Sequence, residues 1–217
     1  MADFTHLHLH SHFTLLESTT TIAKLVKAVK EQGMDAVALT DRGNLFGAYE
    51  FYSAAKDAGL KAIIGCQLNV APLGMKERVR DWHQLVLLAQ DEEGYRNLAK
   101  LVSLGWLEGF YFEPRVDLET IAAHSAGLVC LTGAGRDGFL NRHLGSGAED
   151  EAARQLALLV GIFGTERLFV ELTDHGADGP LDVRAACVRL ARAAGVGVVA
   201  TNWTHYLGAS DHAIHDV

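Results

Sequence analysis

Short runs rich in Val, Ile and Leu recur along this chain, and in the stretches between them apolar residues fall three or four positions apart. The runs predict strands over 4–10, 35–40, 61–70, 83–89, 127–132, 167–173 and 196–202. The stretches between predict helices. Thr19 to Thr21 can cap a helix through Gln32 that Gly33 ends, and Leu45–Ala58 stops at Gly59. Asp91-Glu92-Glu93 place acid at the start of a helix running past Val102, while Glu149–Phe163 and Asp182–Ala194 end at Gly164 and Gly195. Repeated β-α units imply one α/β domain over residues 1–217 with a largely parallel sheet, either a closed or nearly closed barrel or an open doubly wound sheet.

In both architectures the ligand site lies at the carboxyl ends of the strands. Those ends are polar here. The first run carries His6, His8 and His10, the second enters Thr40-Asp41-Arg42, and the third holds Gln67. The sixth ends in Glu171-Leu172-Thr173-Asp174-His175 and the seventh in Thr201-Asn202-Trp203-Thr204-His205. If the first run is a strand, its three histidines share one face while Leu7 and Leu9 share the other. Two imidazoles at i and i+2 can ligate one divalent ion, and buried histidines bonded to backbone are the competing reading. Asp41 has helix capping as its default role, with metal ligation or pairing to Arg42 as alternatives. His83 begins its strand and reads as a core-edge residue as readily as a ligand. His124, His143, His212 and His215 fall in helices or loops and read as surface residues.

Composition narrows the chemistry. The 217 residues carry 19 basic and 27 acidic side chains, a formal charge of −8, which excludes a broad basic nucleic-acid surface. No apolar run is long enough to span a membrane, and the start lacks signal-peptide features, so a cytoplasmic protein is expected. Cys66, Cys130 and Cys187 are far apart in apolar surroundings and read as reduced core thiols. Gly133, Gly135 and Gly138 spell Gly-x-Gly-x-x-Gly, but they follow the fifth strand and precede no clear helix, so a turn is the better reading. No Gly-x-Ser-x-Gly elbow is present.

Several blocks together carry a resemblance. His6-Leu-His-Leu-His-Ser-His-Phe-Thr-Leu-Leu-Glu-Ser, Ala-Leu-Thr-Asp-Arg-Gly-Asn-Leu-Phe-Gly-Ala from Ala38 and Ile-Ile-Gly-Cys-Gln from Ile63 stand in order, followed by His83-Gln-Leu-Val-Leu-Leu-Ala, Glu-Leu-Thr-Asp-His-Gly from Glu171 and Ala-Thr-Asn-Trp-Thr-His-Tyr from Ala200. The chain resembles the amino-terminal PHP (polymerase and histidinol phosphatase) domain of the bacterial DNA polymerase III alpha subunit. That resemblance implies a distorted (β/α)7 TIM-like barrel. In members that keep phosphoesterase or proofreading chemistry, it also implies a trinuclear metal site.

Carried over residue by residue, His8, His10, His83 and His205 match family positions, Glu17 stands where the family usually has Asp, and His175 follows the sixth strand as a further candidate. The family's histidine after Thr-Asp is Arg42 here, its glutamate is Gln67, its cysteine or histidine after the fifth strand is Ala134, and its aspartate before the last histidine is Trp203. The expectation is therefore a degenerate pocket holding no metal or one zinc or manganese ion, and not a full cluster. The resemblance implies a mainly structural or interaction role, with the remainder of the polymerase subunit and other replisome proteins as partners. DNA would be reached only through the full polymerase, and no membrane is involved. The resemblance implies that the polymerase site lies outside these 217 residues. The alternative is a metal-dependent phosphoesterase or 3'-5' proofreading exonuclease.

Overall fold

The computed structural model describes residues 4–174 and 183–211. Seven helices are described: α1 Ile22–Glu31, α2 Ala48–Asp57, α3 Glu92–Leu107, α4 Leu118–Ala123, α5 Asn141–Gly145, α6 Glu149–Phe163 and α7 Arg184–Ala194. Seven strands accompany them: β1 Ala36–Leu39, β2 Lys61–Val70, β3 His83–Ala89, β4 Arg115–Val116, β5 Leu128–Leu131, β6 Leu168–Thr173 and β7 Gly197–Thr201. Their hydrogen-bonded order is β1-β2-β3-β5-β6-β7, with β4 paired to the end of β2.

The strand count agrees with the sequence reading, but its membership does not. Residues 4–10 form no strand; only the isolated Leu9–Thr204 bridge involves them. This segment still spans the sheet's two edges. Ala38 and Thr40 donate backbone N–H groups to the carbonyls of His6 and Leu9, His10 donates to Thr204, and Thr204 donates to His8. The sheet is a curled half-barrel whose edges meet through these bonds and not through a continuous ladder. Leu7 packs with the inner apolar cluster of the sheet and Leu9 with the core under α1 and α2, so the two leucines do not share a face. An irregular segment has no period-two alternation to keep them together.

Four of the six strand pairings are parallel, as expected, but one strand is reversed. β3 runs antiparallel to both β2 and β5, with Val70 opposite His83. The start of β3 consequently lies beside the carboxyl end of β2, and His83 stands at the same end of the sheet as the polar strand ends.

Alternation along the strands sorts the core. Leu85 and Leu87 of β3, Leu128 and Cys130 of β5, and Leu168 and Val170 of β6 point outward under α3, α6 and α7. Val86, Leu88 and Leu131 point inward with Ala38 and form an apolar plug, backed by Phe169 and Val199. Gln67, Glu171 and Thr201 share the strand face of Ile63, Phe169 and Val199, nearer the carboxyl ends. The inner face is therefore apolar below and polar above.

Helix ends follow the sequence signals in part. Asp91 caps α3 by accepting from the Gly94 N–H at 2.8 Å, whereas Thr21 precedes α1 without a side-chain cap. Gly33 and Gly59 take positive φ after α1 and α2. The Gly-x-Gly-x-x-Gly segment is a tight turn: a Cβ on Gly133 would come within 2.2 Å of the Gln84 carbonyl oxygen, and one on Gly138 within 2.6 Å of the Gly133 carbonyl. Among the described residues, no helix is long and apolar enough to cross a membrane.

Candidate functional site

His8 is buried at the carboxyl end of the sheet, its ring held from two sides. Its Nδ1 lies 2.7 Å from Glu171 Oε1 and its Nε2 lies 2.8 Å from Gln67 Oε1. Thr201, one strand over, donates its hydroxyl to the same Glu171 oxygen. Three strands and the irregular amino-terminal segment thus converge on one imidazole.

His10 lies beside it, with ring centroids 5.3 Å apart, and stacks on His205 at 4.5 Å with the planes 12° from parallel. Its Nδ1 meets Thr14 Oγ1 at 3.1 Å, while its buried Nε2 has no hydrogen-bond partner. Burial holds the His10 imidazolium well below its usual pKa, and the neighbouring His8, His205 and Arg42 add to that effect. His205 Nδ1 faces the Glu17 carbonyl at 3.0 Å. Trp203 stands between the histidines, 6.1 Å from His8 and 5.2 Å from His205 by ring centroid, with its backbone in the left-handed region at φ 44°.

Arg42 reaches the site from beyond β1, where residues 41–43 continue beside Gln67 through backbone hydrogen bonds. Its guanidinium donates to Glu17 Oε1 at 2.6 Å. Asp41 does something else. It accepts the Ser11 N–H at 2.7 Å, the Ser11 hydroxyl at 2.8 Å and the Thr14 hydroxyl at 2.7 Å, so it fastens the loop after His10. Helix capping, its default reading from sequence, is not its role, because α2 starts only at Ala48. Burial raises the Asp41 pKa against the three donors that lower it.

The structure draws His8, His10, Glu17, Arg42, Gln67, Trp203 and His205 into one neighbourhood. Ala134 is buried in the turn after β5, and Trp203 covers the adjoining Gly135, whose Cβ would come within 2.5 Å of the indole. His83 stands apart from the histidine group: its ring stacks on His143 at 5.0 Å and lies against Phe139. Burial and the nearby His143 and Arg142 push the His83 pKa down to about 4. His143, read from sequence as a surface residue, is half-buried in that stack. His175, with His212 and His215, lies outside the described residues. The sequence shows Glu171 only as a strand-end acid; the pairing of β6 with β7 beside the His8 segment is what brings it to His8.

A metal cluster tests poorly against these donors. Both His8 nitrogens and the His205 Nδ1 already face protein partners, the neutral Gln67 amide supplies no charge, and Glu17 is engaged by Arg42. Among the described residues, no three His, Cys, Asp or Glu side chains are arranged to hold a metal ion. Among the buried atoms without a hydrogen-bond partner are two that could face an ion, His10 Nε2 and Glu171 Oε2, beside Arg42 Nε and Gln67 Nε2.

Residues 6–175 match the PHP domain family. Across nearly the whole chain, similarity extends to DNA polymerase III subunit alpha of Treponema pallidum, 39% identical over 99% of this chain and 19% of that protein. The Thermus aquaticus subunit is 39% identical over 99% of this chain and 18% of its own length. The chain therefore spans about a fifth of the length of these relatives. Among solved structures, a putative metal-dependent phosphoesterase from Bifidobacterium adolescentis aligns with TM-score 0.64 at 13% identity, covering 94% of this chain and 88% of that one. An amidohydrolase from Chromobacterium violaceum aligns with TM-score 0.57 at 15% identity and the same coverage. At those identities the likeness is one of fold.

Proposed function

Because the chain belongs to the PHP domain family, we propose that it is the PHP module of a DNA polymerase III alpha-type subunit in which side-chain contacts stand in place of a metal cluster. Its role in cytoplasmic DNA replication is structural and interactive, its partners being the rest of the subunit and other replisome proteins. DNA is engaged only through the full polymerase.

The observation that carries this reading is the Arg42–Glu17 pair at 2.6 Å. Several divalent ions at close range repel one another unless bridging carboxylates offset their charge. Here one acid is neutralised by a fixed guanidinium, and another position is the amide of Gln67. The pocket would accept at most one zinc- or manganese-like ion, on His8, His10 and His205, and His8 would have to exchange a present partner for it. Arg42 supplies positive charge but cannot lower the pKa of a water as a bound metal does, so the hydroxide needed for phosphodiester hydrolysis stays scarce at neutral pH.

The second reading is a metal-dependent phosphoesterase or proofreading exonuclease, favoured by the unpartnered His10 Nε2 and Glu171 Oε2 in a fold similar to that of a putative metal-dependent phosphoesterase. One experiment separates the two. The dialysed protein is subjected to elemental analysis and assayed on labelled single-stranded DNA and a chromogenic phosphodiester with added manganese or zinc. The expected result is no more than one metal per chain and no chelator-sensitive turnover. Two or more metals, with turnover that disappears in a His8→Ala, His10→Ala variant, would establish the second reading instead.

A further inference from the structure

The histidine group is polar, yet it is closed to solvent. His8, His10, Gln67 and Glu171 are each at most 1% exposed. His10 Nε2, Gln67 Nε2 and Glu171 Oε2 lie there without hydrogen-bond partners. The contacts of Thr14 fix what His10 offers. The Thr14 hydroxyl donates to Asp41 Oδ1, so its oxygen accepts from the His10 Nδ1–H, as it does from the Arg42 backbone N–H. Nε2 therefore carries a bare lone pair. Buried polar atoms in this state are costly, and contact with water would relieve them. Something must hold the site shut.

Trp203 is placed to do so. Its indole stands against His8 and meets His205 edge to face, and its six-membered ring rests on Gly135, where a Cβ would come within 2.5 Å of Cζ3. The seat requires glycine twice over, because Gly135 also has φ 64°. The middle glycine of the Gly-x-Gly-x-x-Gly segment thus has a role that the turn alone does not give it. Trp203 itself sits in the left-handed region at φ 44°, a costly conformation for a bulky residue. Both of its flanks are fastened. Thr201 pairs with Thr173 in the β6–β7 ladder, and Thr204 exchanges backbone hydrogen bonds with His8 and His10. Strain held in this way between two fixed points, beside a cluster of buried polar atoms, points to a functional constraint.

Resting on the reading that side-chain contacts stand here in place of a metal cluster, we infer that Trp203 is a stopper, seated on Gly135, that shuts the histidine group off from ions and phosphodiesters. Its effect is separate from that of Arg42 and Gln67. Those two residues change which charges the pocket offers, whereas the indole decides whether anything reaches it.

The test uses the whole polypeptide that carries this sequence, dialysed against EDTA so that no ion shields the rings, and then treated with diethyl pyrocarbonate, which acylates an imidazole nitrogen through its lone pair. Fragment-ion mass spectrometry locates and times the modification of each histidine. His83 is the control for intact folding, because it is buried, has an unpartnered Nδ1 and stacks on His143 apart from Trp203. In the parent protein both His10 and His83 are expected to react far more slowly than the partly exposed His124. Trp203→Gly suits the left-handed backbone and removes the stopper, while Gly135→Ala unseats it. Either change is expected to raise the His10-to-His83 rate ratio by about tenfold or more, with a smaller rise in Trp203→Phe. A ratio that stays at the parent value in both Trp203→Gly and Gly135→Ala overturns the inference, and so does a parent His10 that reacts as fast as His124. Two or more metals per chain before dialysis overturn the underlying reading alone, and the ratio still decides whether Trp203 closes the site.

Discussion

The Arg42 guanidinium and the Glu17 carboxylate are both partly shielded, at 22% and 36% side-chain exposure, so their pairing is neither a free surface contact nor a dry one. Charge-assisted hydrogen bonds contribute about 1.5–3 kcal/mol when well buried and less as solvent screens them. Arg42→Ala is expected to lower unfolding stability by about 1 kcal/mol in urea titrations, and a cycle with Glu17→Gln should show that the two losses do not add. Gln67 poses the opposite case. Gln67→Glu places a carboxylate against His8 across the ring from Glu171, in a site that water does not reach. Its cost is expected at about 1–3 kcal/mol at pH 8, shrinking as pH falls and the new carboxyl protonates. With Arg42 in place, added manganese should not restore the lost stability; a metal-dependent recovery of the unfolding midpoint would show a pocket still built for ions.

At the end of the sheet away from the site, a helix and a strand meet through a close approach that leaves no space for a side chain. The amino end of α3 meets the turn before β5 at Gly94, where a Cβ would lie 1.8 Å from the Gly127 carbonyl oxygen. Asp91 caps the same turn of α3 by accepting from the Gly94 N–H. Gly94→Ala must push the helix off β5 and strain that cap, so a loss of about 2–4 kcal/mol is expected, well beyond the gain in helix propensity from Gly to Ala. Thermal unfolding of the variant checks it; a neutral or stabilising result would mean the helix shifts without cost. The element boundaries were legible where punctuation was strong. α6 and the ends of α1 and α2 followed acidic starts and glycine stops, while β4, α4 and α5, at two to six residues each, are too short for periodicity to register.

Stability of the whole molecule should depend on pH through histidines buried in neutral form. His83 has its pKa lowered to about 4 in the folded chain against the usual 6.5, and His10 is lowered in the same direction. Between those values the unfolded chain binds more protons than the folded one, so stability rises with pH across about 4 to 6.5 and is lost as pH falls through that window. Urea midpoints measured from pH 7.5 to pH 4.5 should drop steadily, and His83→Asn should reduce the slope. A flat profile would mean these rings are hydrated enough to protonate without cost.

What the sequence determined by itself was local: strand runs, helix starts and stops, and the polar strand ends, all carried by neighbours within a few residues. The direction of β3 was not local. Whether a strand runs parallel or antiparallel depends on where its neighbours in the sheet lie, and reversing β3 moved His83 to the polar end while leaving it outside the histidine group. The His6–His10 run alternates like a strand, yet it joins the sheet's edges by a few backbone bonds, because its partners, β1 and Thr204, come from distant parts of the chain. The Glu171–His8–Gln67 contact belongs to the same class. Three residues separated by 59 and 163 positions meet only once the sheet has curled, and no pattern of spacing encodes which of their atoms will face one another.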